Sequence, residues 1–209
     1  MNTPSRNCAL CPRLVALREE CRAAEPDWFN APVPSFGTLD AKLLVVGLAP
    51  GRNGANRTGR PFTGDYAGVL LYNTLVAKGF ARGTYGERPD DGLTLVDCRI
   101  TNAVRCLPPD NKPLPLEIRT CRQYLIDEIN AMTKLKAIMA LGRVAHESVV
   151  ATLGGKQRHF PFAHGAAHHV TDHLTLFDSY HCSRYNTNTG RLTTEMFESV
   201  VQTIRERLG

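Results

Sequence analysis

Residues Lys42 to Leu48 read KLLVVGL, an apolar, β-branched run that stops abruptly at Ala49-Pro50-Gly51. Without polar alternation, such a run marks a strand buried on both faces, as in a parallel sheet covered by helices on either side. Outward from it, strand and helix signals alternate. Val69, Leu70, Leu75 and Val76 place a helix over Tyr66 to Lys78, and Gly79 stops it. A second strand lies within Leu93 to Val104. Pro115 opens a helix running through Met132, with Ile118, Tyr124, Leu125, Ile129 and Met132 near one face. Ala137 to Leu141 is a third strand, followed directly by a helix to about Leu153, and Leu174 to Phe177 is a fourth. A last helix, from about Thr193 to Leu208, turns Phe197, Val200, Val201, Ile204 and Leu208 inward. Strands separated by helices predict an α/β fold, a three-layer α/β/α sandwich with a mainly parallel central sheet, in a single domain over 1–209.

Size and charge narrow the class only a little. A chain of 209 residues can bury one substantial core. The apolar runs Leu43 to Val46 and Ile138 to Leu141 are far too short to span a membrane. Met1 to Cys8 is polar and lacks the apolar centre of a secretory signal, so the expected location is cytoplasmic. The net charge of +5 suits a polyanionic partner without demanding one.

Cysteine usage is more informative. Seven is an odd number, which argues against a domain stapled purely by disulfides. Cys8 and Cys11 form a C-x2-C pair, and Cys106 and Cys121 form a second pair. Two such pairs can close a zinc site or hold an iron–sulfur cluster, and spacing does not separate these. The first pair sits in a polar N-terminal arm that would fray unless tied down. Cys21, Cys98 and Cys182 read as ordinary buried thiols.

In α/β folds of this kind, ligands gather beyond the carboxyl ends of the strands. Three polar loops therefore become candidates: Ala49 to Asp65, Asn102 to Pro113, and His181 to Arg191. The first is glycine-rich and carries Arg52, Arg57 and Arg60, but no Gly-Lys-Ser/Thr makes it a phosphate loop of the Walker type. The third, HCSRYNTNTGRLT, sets a histidine directly after an apolar strand and follows it with donors suited to phosphates.

These motifs together (GLAPG, GRPFTGD, TNAVRC and H-x-S-x-x-N-x-N-T-G-R-L-T) resemble the family 5 uracil-DNA glycosylases, relatives of the family 4 iron–sulfur enzymes. The resemblance runs from Cys8 to the final helix. Family 4 has glutamate second in GEAPG, where this chain has Leu48, which assigns it to family 5. The resemblance implies a [4Fe–4S] cluster on Cys8, Cys11, Cys106 and Cys121. It also implies DNA containing uracil or other deaminated bases as substrate, flipped and cut at its glycosidic bond by a monomer. His181 is implied to donate to the base O2, and Asp65 to serve the water and the positively charged sugar. Asp65 also reads as the N-cap of the helix starting at Tyr66. Phe62 is implied to stack on the flipped base and Asn102 to read its edge, with Gly47, Leu48, Ala49 and Gly51 shaping the pocket. Arg52, Arg60, Ser183, Arg184, Tyr185, Asn186 and Arg191 are implied on the DNA side, Tyr185 as a wedge. The family's last motif usually begins His-Pro-Ser; here Cys182 replaces the proline, which should loosen the loop.

Other readings compete. A non-catalytic iron–sulfur or zinc protein that binds nucleic acid and senses redox state would explain the cysteines and the charge. A relative that traps its own intermediate would need a basic insertion before His181, which is not present. Five histidines fall between His159 and His173, and His168-His169 with His164 suggest a metal site, but no carboxylate or cysteine completes the set, so they read as phosphate contacts or surface.

Overall fold

A computed structural model describes residues 1–209. In chain order its elements are α1 (Pro12–Ala24), β1 (Leu43–Gly47), α2 (Ala55–Thr58), α3 (Tyr66–Ala77), β2 (Ala81–Arg82), β3 (Thr94–Leu95) and β4 (Cys98–Asn102). They continue as α4 (Pro115–Ala131), β5 (Ala137–Leu141), α5 (Arg143–Thr152), β6 (Ala167–His169), β7 (Thr175–Ser179), α6 (Arg184–Asn188) and α7 (Thr194–Leu208). The main sheet runs β4-β1-β5-β7-β6, parallel except for β6 at its edge. The expected α/β/α layering is present, and no helix is long and apolar enough to cross a membrane.

β1 shows why KLLVVGL lacks polar alternation. Leu43 and Val45 enter a core shared with Leu71 and Leu75 of α3 and Phe197 and Val201 of α7. Leu44 and Val46 enter a second core shared with Leu125 of α4 and Val149 of α5. β5 splits likewise, Met139 to the first core and Ile138 to the second. Each fully buried aliphatic side chain contributes roughly 1.5–3 kcal/mol, so this central pair of strands anchors both layers.

The structure departs from the sequence reading in four places. The buried face of α3 is Ala67, Leu71, Tyr72 and Leu75, whereas Val69 is exposed; the helix is apolar all round, so periodicity could not choose its face. The polar arm contains α1, which buries Leu14, Arg18 and Cys21 on a narrow stripe. β6 carries mostly histidine and alanine, types with little strand preference, and it pairs only with β7. Finally, α4 buries a charge: Glu128 receives Arg99 Nε at 2.6 Å and Arg105 Nη2 at 2.5 Å. Burial disfavours that carboxylate, but the Arg105 and Arg99 guanidiniums outweigh it and hold Glu128 below its ordinary range.

Candidate active site

The carboxyl ends of β1 and β4 lie side by side, with Gly47 paired to Asn102. Above them opens a cavity of about 330 Å³. The first loop contributes Leu48, Ala49, Gly51, Phe62 and Asp65 to its wall, β4 contributes Asn102, and the third loop contributes His181, Ser183 and Arg184. Gly47 lies beneath the floor. A Cβ there would run into Asn102 Oδ1 and the Phe62 ring, so only glycine lets these two side chains settle over the strand end.

Asn102 is buried, and its Oδ1 has no hydrogen-bond partner. A buried polar atom left unpaired costs about 1–3 kcal/mol, so a partnerless acceptor on a residue that lines a cavity is a feature of a binding site rather than of a core. Phe62 sits at φ 53, in the left-handed region that non-glycine residues rarely adopt. Its backbone is pinned there by the hydroxyl of Tyr85, which donates to the Phe62 carbonyl at 2.9 Å, and of Tyr72, which donates to the Pro61 carbonyl at 2.6 Å. The Phe62 ring then lies 6.0 Å from the His181 imidazole, centroid to centroid. Desolvation pushes the His181 pKa down to about 4, leaving a neutral imidazole at ordinary pH.

Asp65 does what a cap requires: its Oδ1 accepts from Gly68 N–H at 3.1 Å. Oδ2 turns toward Gly51 and Gly54, the second of which has room for it only because it lacks a side chain. Burial raises the Asp65 pKa above the ordinary carboxylate value, although Gly68 and Ala67 N–H groups favour the charge. One oxygen caps the helix and the other borders the cavity.

The loop after His181 is not slack, contrary to the expectation from its missing proline. Cys182 is fully buried in the α3–α7 core. Ser183 Oγ caps α6 by accepting from Asn186 N–H at 3.4 Å, and Asn186 Nδ2 donates to the His181 carbonyl at 2.8 Å. Asn186 thus spends its amide inside the loop.

Arg60 must be moved off the DNA side. It is buried, forms a bidentate pair with Asp91 (2.8 and 2.7 Å), and stands over the rings of Phe36, Tyr72 and Tyr85. The Arg60 bond holds the Asp91 carboxyl well below its usual range. By contrast Arg52, Arg184 and Arg191 are exposed, and Tyr185 is 71% exposed. Arg184 lies over Tyr66 at the cavity, and Arg191 lies over Tyr180 in a neighbouring groove. Sequence reasoning missed Asn111, which lines the cavity, and Arg143, which lines a groove with His181 and Arg191. Asn111 follows Pro-Pro-Asp in the second candidate loop, and its positive φ of 56 is the turn chemistry that could have drawn notice.

Away from the cavity, Cys8, Cys11, Cys106 and Cys121 line one small apolar pocket with Leu14 and Tyr124. Burial pushes the Cys11 thiol up to about 11 and Cys106 up to about 12, and it raises Cys121 as well. Arg105 N–H donates to Cys121 Sγ at 3.4 Å, and Arg18 Nη1 donates to the Cys8 carbonyl at 3.0 Å. The histidine segment also needs correcting. A carboxylate does complete a set: Asp178 of β7 meets His168 of the segment and His146 of α5.

Residues 34–205 match the family model described as the uracil DNA glycosylase superfamily. The chain is similar to a type-5 uracil-DNA glycosylase of Thermus thermophilus, 45% identical over 208 residues that cover 97% of this chain and 94% of that protein. A type-5 uracil-DNA glycosylase of Pyrobaculum aerophilum is 38% identical over 94% of this chain and 87% of its own length. A type-4 uracil-DNA glycosylase of Archaeoglobus fulgidus is 35% identical over only 56% of this chain and 51% of its own. With the four-motif cavity, the family match and the near full-length relatives in agreement, this chain belongs to the uracil DNA glycosylase superfamily.

Proposed function

We propose that the chain is a monofunctional DNA glycosylase that flips uracil out of DNA and hydrolyses its N-glycosidic bond in base excision repair. It acts as a single domain and a monomer in the cytoplasm. The observation that carries this reading is the unpartnered Asn102 Oδ1 in a cavity shared with a neutral His181. Uracil offers an N3–H for that acceptor and an O4 for the amide's own N–H, while cytosine and adenine offer the reverse pattern. Sites built on such pairing reject the wrong partner by about ten thousandfold or more.

The other residues fall into roles around that pairing. Extruding the base costs about a few kcal/mol, which stacking on Phe62 offsets in part. As the C1′–N1 bond breaks, electrons pass to the base, and the His181 N–H stabilises the charge gathering on O2. The free oxygen of Asp65 orients the water that adds to C1′ and stabilises the positive sugar. Outside the cavity, Arg52, Arg184, Arg191 and the newly placed Arg143 face the phosphates. A non-catalytic redox sensor would leave Asn102, Phe62 and His181 without a task.

Cys8, Cys11, Cys106 and Cys121 are the residues that would hold a [4Fe–4S] cluster. The pocket suits an anionic group: a backbone N–H already points at Cys121 Sγ, and the positive charge of buried Arg18 favours the thiolate of Cys106. When bound, the cluster supplies a cross-link between the N-terminal arm and the body, with no part in the bond cleavage.

Hypoxanthine shows the same donor–acceptor pair on its O6 and N1–H, so excision extends to it and to related deaminated bases. The test is single-turnover release from oligonucleotides containing uracil or hypoxanthine. Wild-type protein should release both bases and spare cytosine and adenine, and Asn102→Ala should weaken both releases together. Loss of uracil release alone would show that different residues read the two bases.

A further inference from the structure

His146 is almost wholly buried on α5, and both of its ring nitrogens are engaged. Nε2 lies 2.8 Å from the Phe160 carbonyl oxygen, which can only accept, so Nε2 carries the hydrogen. In the neutral ring, Nδ1 is then a bare lone pair, and it faces Asp178 Oδ1 at 2.7 Å, another lone pair. Something positive must lie between them. The other oxygen, Asp178 Oδ2, is 3.1 Å from His168 Nε2. The three ligand atoms all lie within 4.8 Å of one another.

A metal-ligating histidine nearly always donates its second N–H to a carbonyl or carboxylate, which fixes the tautomer, and His146 with Phe160 is so arranged. The rings of Phe160 and Phe162 flank the group, 5.9 Å from His168 and 5.6 Å from His146 respectively. Two imidazoles and one carboxylate are a donor set for a borderline divalent ion of the zinc class. With ligand bonds of about 2.0–2.1 Å, donor atoms around a tetrahedral ion stand about 3.3 Å apart. To reach that spacing from 2.7 Å, the His146 contact to Asp178 opens by about 0.6 Å; from 3.1 Å, the His168 contact opens by about 0.2 Å; and the two histidine nitrogens, within 4.8 Å of each other, draw together around the ion. His168 keeps 13% of its side chain accessible, which provides an entry side and room for a water as fourth ligand.

We propose that His146 Nδ1, His168 Nε2 and the Asp178 carboxylate form a divalent-ion site of the zinc class, separate from the base cavity and from the four cysteines. The ion displaces the proton shared by His146 and Asp178, which is released to solvent; His168 moves its ring hydrogen from Nε2 to Nδ1 by exchange with solvent, freeing Nε2 to ligate, and no electron transfer accompanies these steps. Binding clamps α5, the edge strand β6 and β7 together. β7 leads within a few residues to His181, and His164, from the same segment, accepts the Tyr180 N–H at 3.1 Å. The ion therefore stiffens the back of the strand that presents His181.

The test loads the intact, cluster-bearing protein with zinc chloride, removes free metal, and measures zinc per chain, the zinc X-ray absorption edge and the thermal midpoint. The site predicts one retained zinc with a shell of nitrogen and oxygen only, near 2.0–2.1 Å, and a higher midpoint. His168→Gln, a change at the partly accessible ligand, should fold normally, lose the zinc and lose the shift. Three results would each overturn the proposal: no zinc retained by the wild type, retained zinc with a sulfur shell near 2.3 Å from the cysteines, or zinc retained equally by His168→Gln. These readouts do not depend on base excision, so they stand or fall apart from it.

Discussion

The first and third loops look alike in sequence, each a glycine-bearing polar stretch with arginines after a strand, yet they use their charge in opposite ways. In the loop from Ala49 to Asp65, Arg60 turns inward to Asp91 and three aromatic rings, and Tyr72 and Tyr85 fix the backbone that bears Phe62. In the loop from His181 to Arg191, Arg184, Tyr185 and Arg191 remain outside, while Ser183 and Asn186 hold the turn. Both loops line the cavity, but Arg60 is consumed inside the first, while Arg184 and Arg191 of the third stay outside, as Arg52 does. An arginine's task is thus set by what folds over it, here an aspartate from thirty-one positions downstream.

That contrast is sharpest in stability. Arg60→Ala leaves Asp91 buried without its partner, which typically costs about 3–5 kcal/mol. Arg184→Ala removes only an exposed side chain and should change stability by about 0.5 kcal/mol or less. Chemical denaturation of the two variants checks this, and equal losses would erase the distinction between the loops.

Binding should invert the ranking. Replacing Arg184 and Arg191 together should weaken DNA affinity and flatten its salt dependence by about 0.9 in logarithmic slope for each phosphate that is no longer neutralised. In a folded Arg60 variant, such as Arg60→Lys, that slope should match the wild type. Affinity measured across a salt series decides it.

Asp65 belongs to both worlds, so two substitutions separate its tasks. Asp65→Asn keeps a capping oxygen but loses the charge, and should slow excision while leaving the melting temperature nearly unchanged. Asp65→Ala should slow it too and also lose about 1 kcal/mol of stability. If Asn at this position excises at the wild-type rate, the cap is the residue's main task.

The smallest effect is in pH. His181 is held down at about 4 and Asp65 is raised above its usual value, so both change charge in acid. Single-turnover excision should stay level as pH falls through the ordinary histidine value of about 6.5 and decline only in more acid solution. Because the native state refuses a proton that the unfolded His181 accepts below about pH 6.5, the residue's share of stability declines as pH falls through that window. An acid limb centred at the ordinary histidine value would mean that His181 is solvated.

Much of this was readable beforehand. The unbroken apolar character of Lys42 to Leu48 demanded helices on both sides, and the cores around Leu43 and Leu44 are the result. The three candidate loops were legible because strand ends converge above a parallel sheet, and the residues within them were legible from the resemblance of their motifs to a known family. What stayed hidden depended on partners distant in sequence. Nothing near Arg60 announces Asp91, nothing near His146 announces Asp178, and nothing within α4 reveals that Glu128 lies between two arginines. The helix α3 offered apolar residues on every side, so its inward face was decided only by packing.

The central claim is that His181 and Asn102 form a pocket that releases uracil rather than merely holding nucleic acid. The most direct measurement is single-turnover release of free uracil from a uracil-containing oligonucleotide, with DNA binding measured on the same samples, for wild type and His181→Ala. Removing one such charge-stabilising donor typically costs about a hundred- to a thousandfold in rate. Wild type should release uracil and leave an abasic site, and His181→Ala should bind the DNA as tightly but release uracil slower by about that factor. Wild-type protein that binds uracil-containing DNA and releases no base, or a His181→Ala variant that releases it at the wild-type rate, would contradict the account.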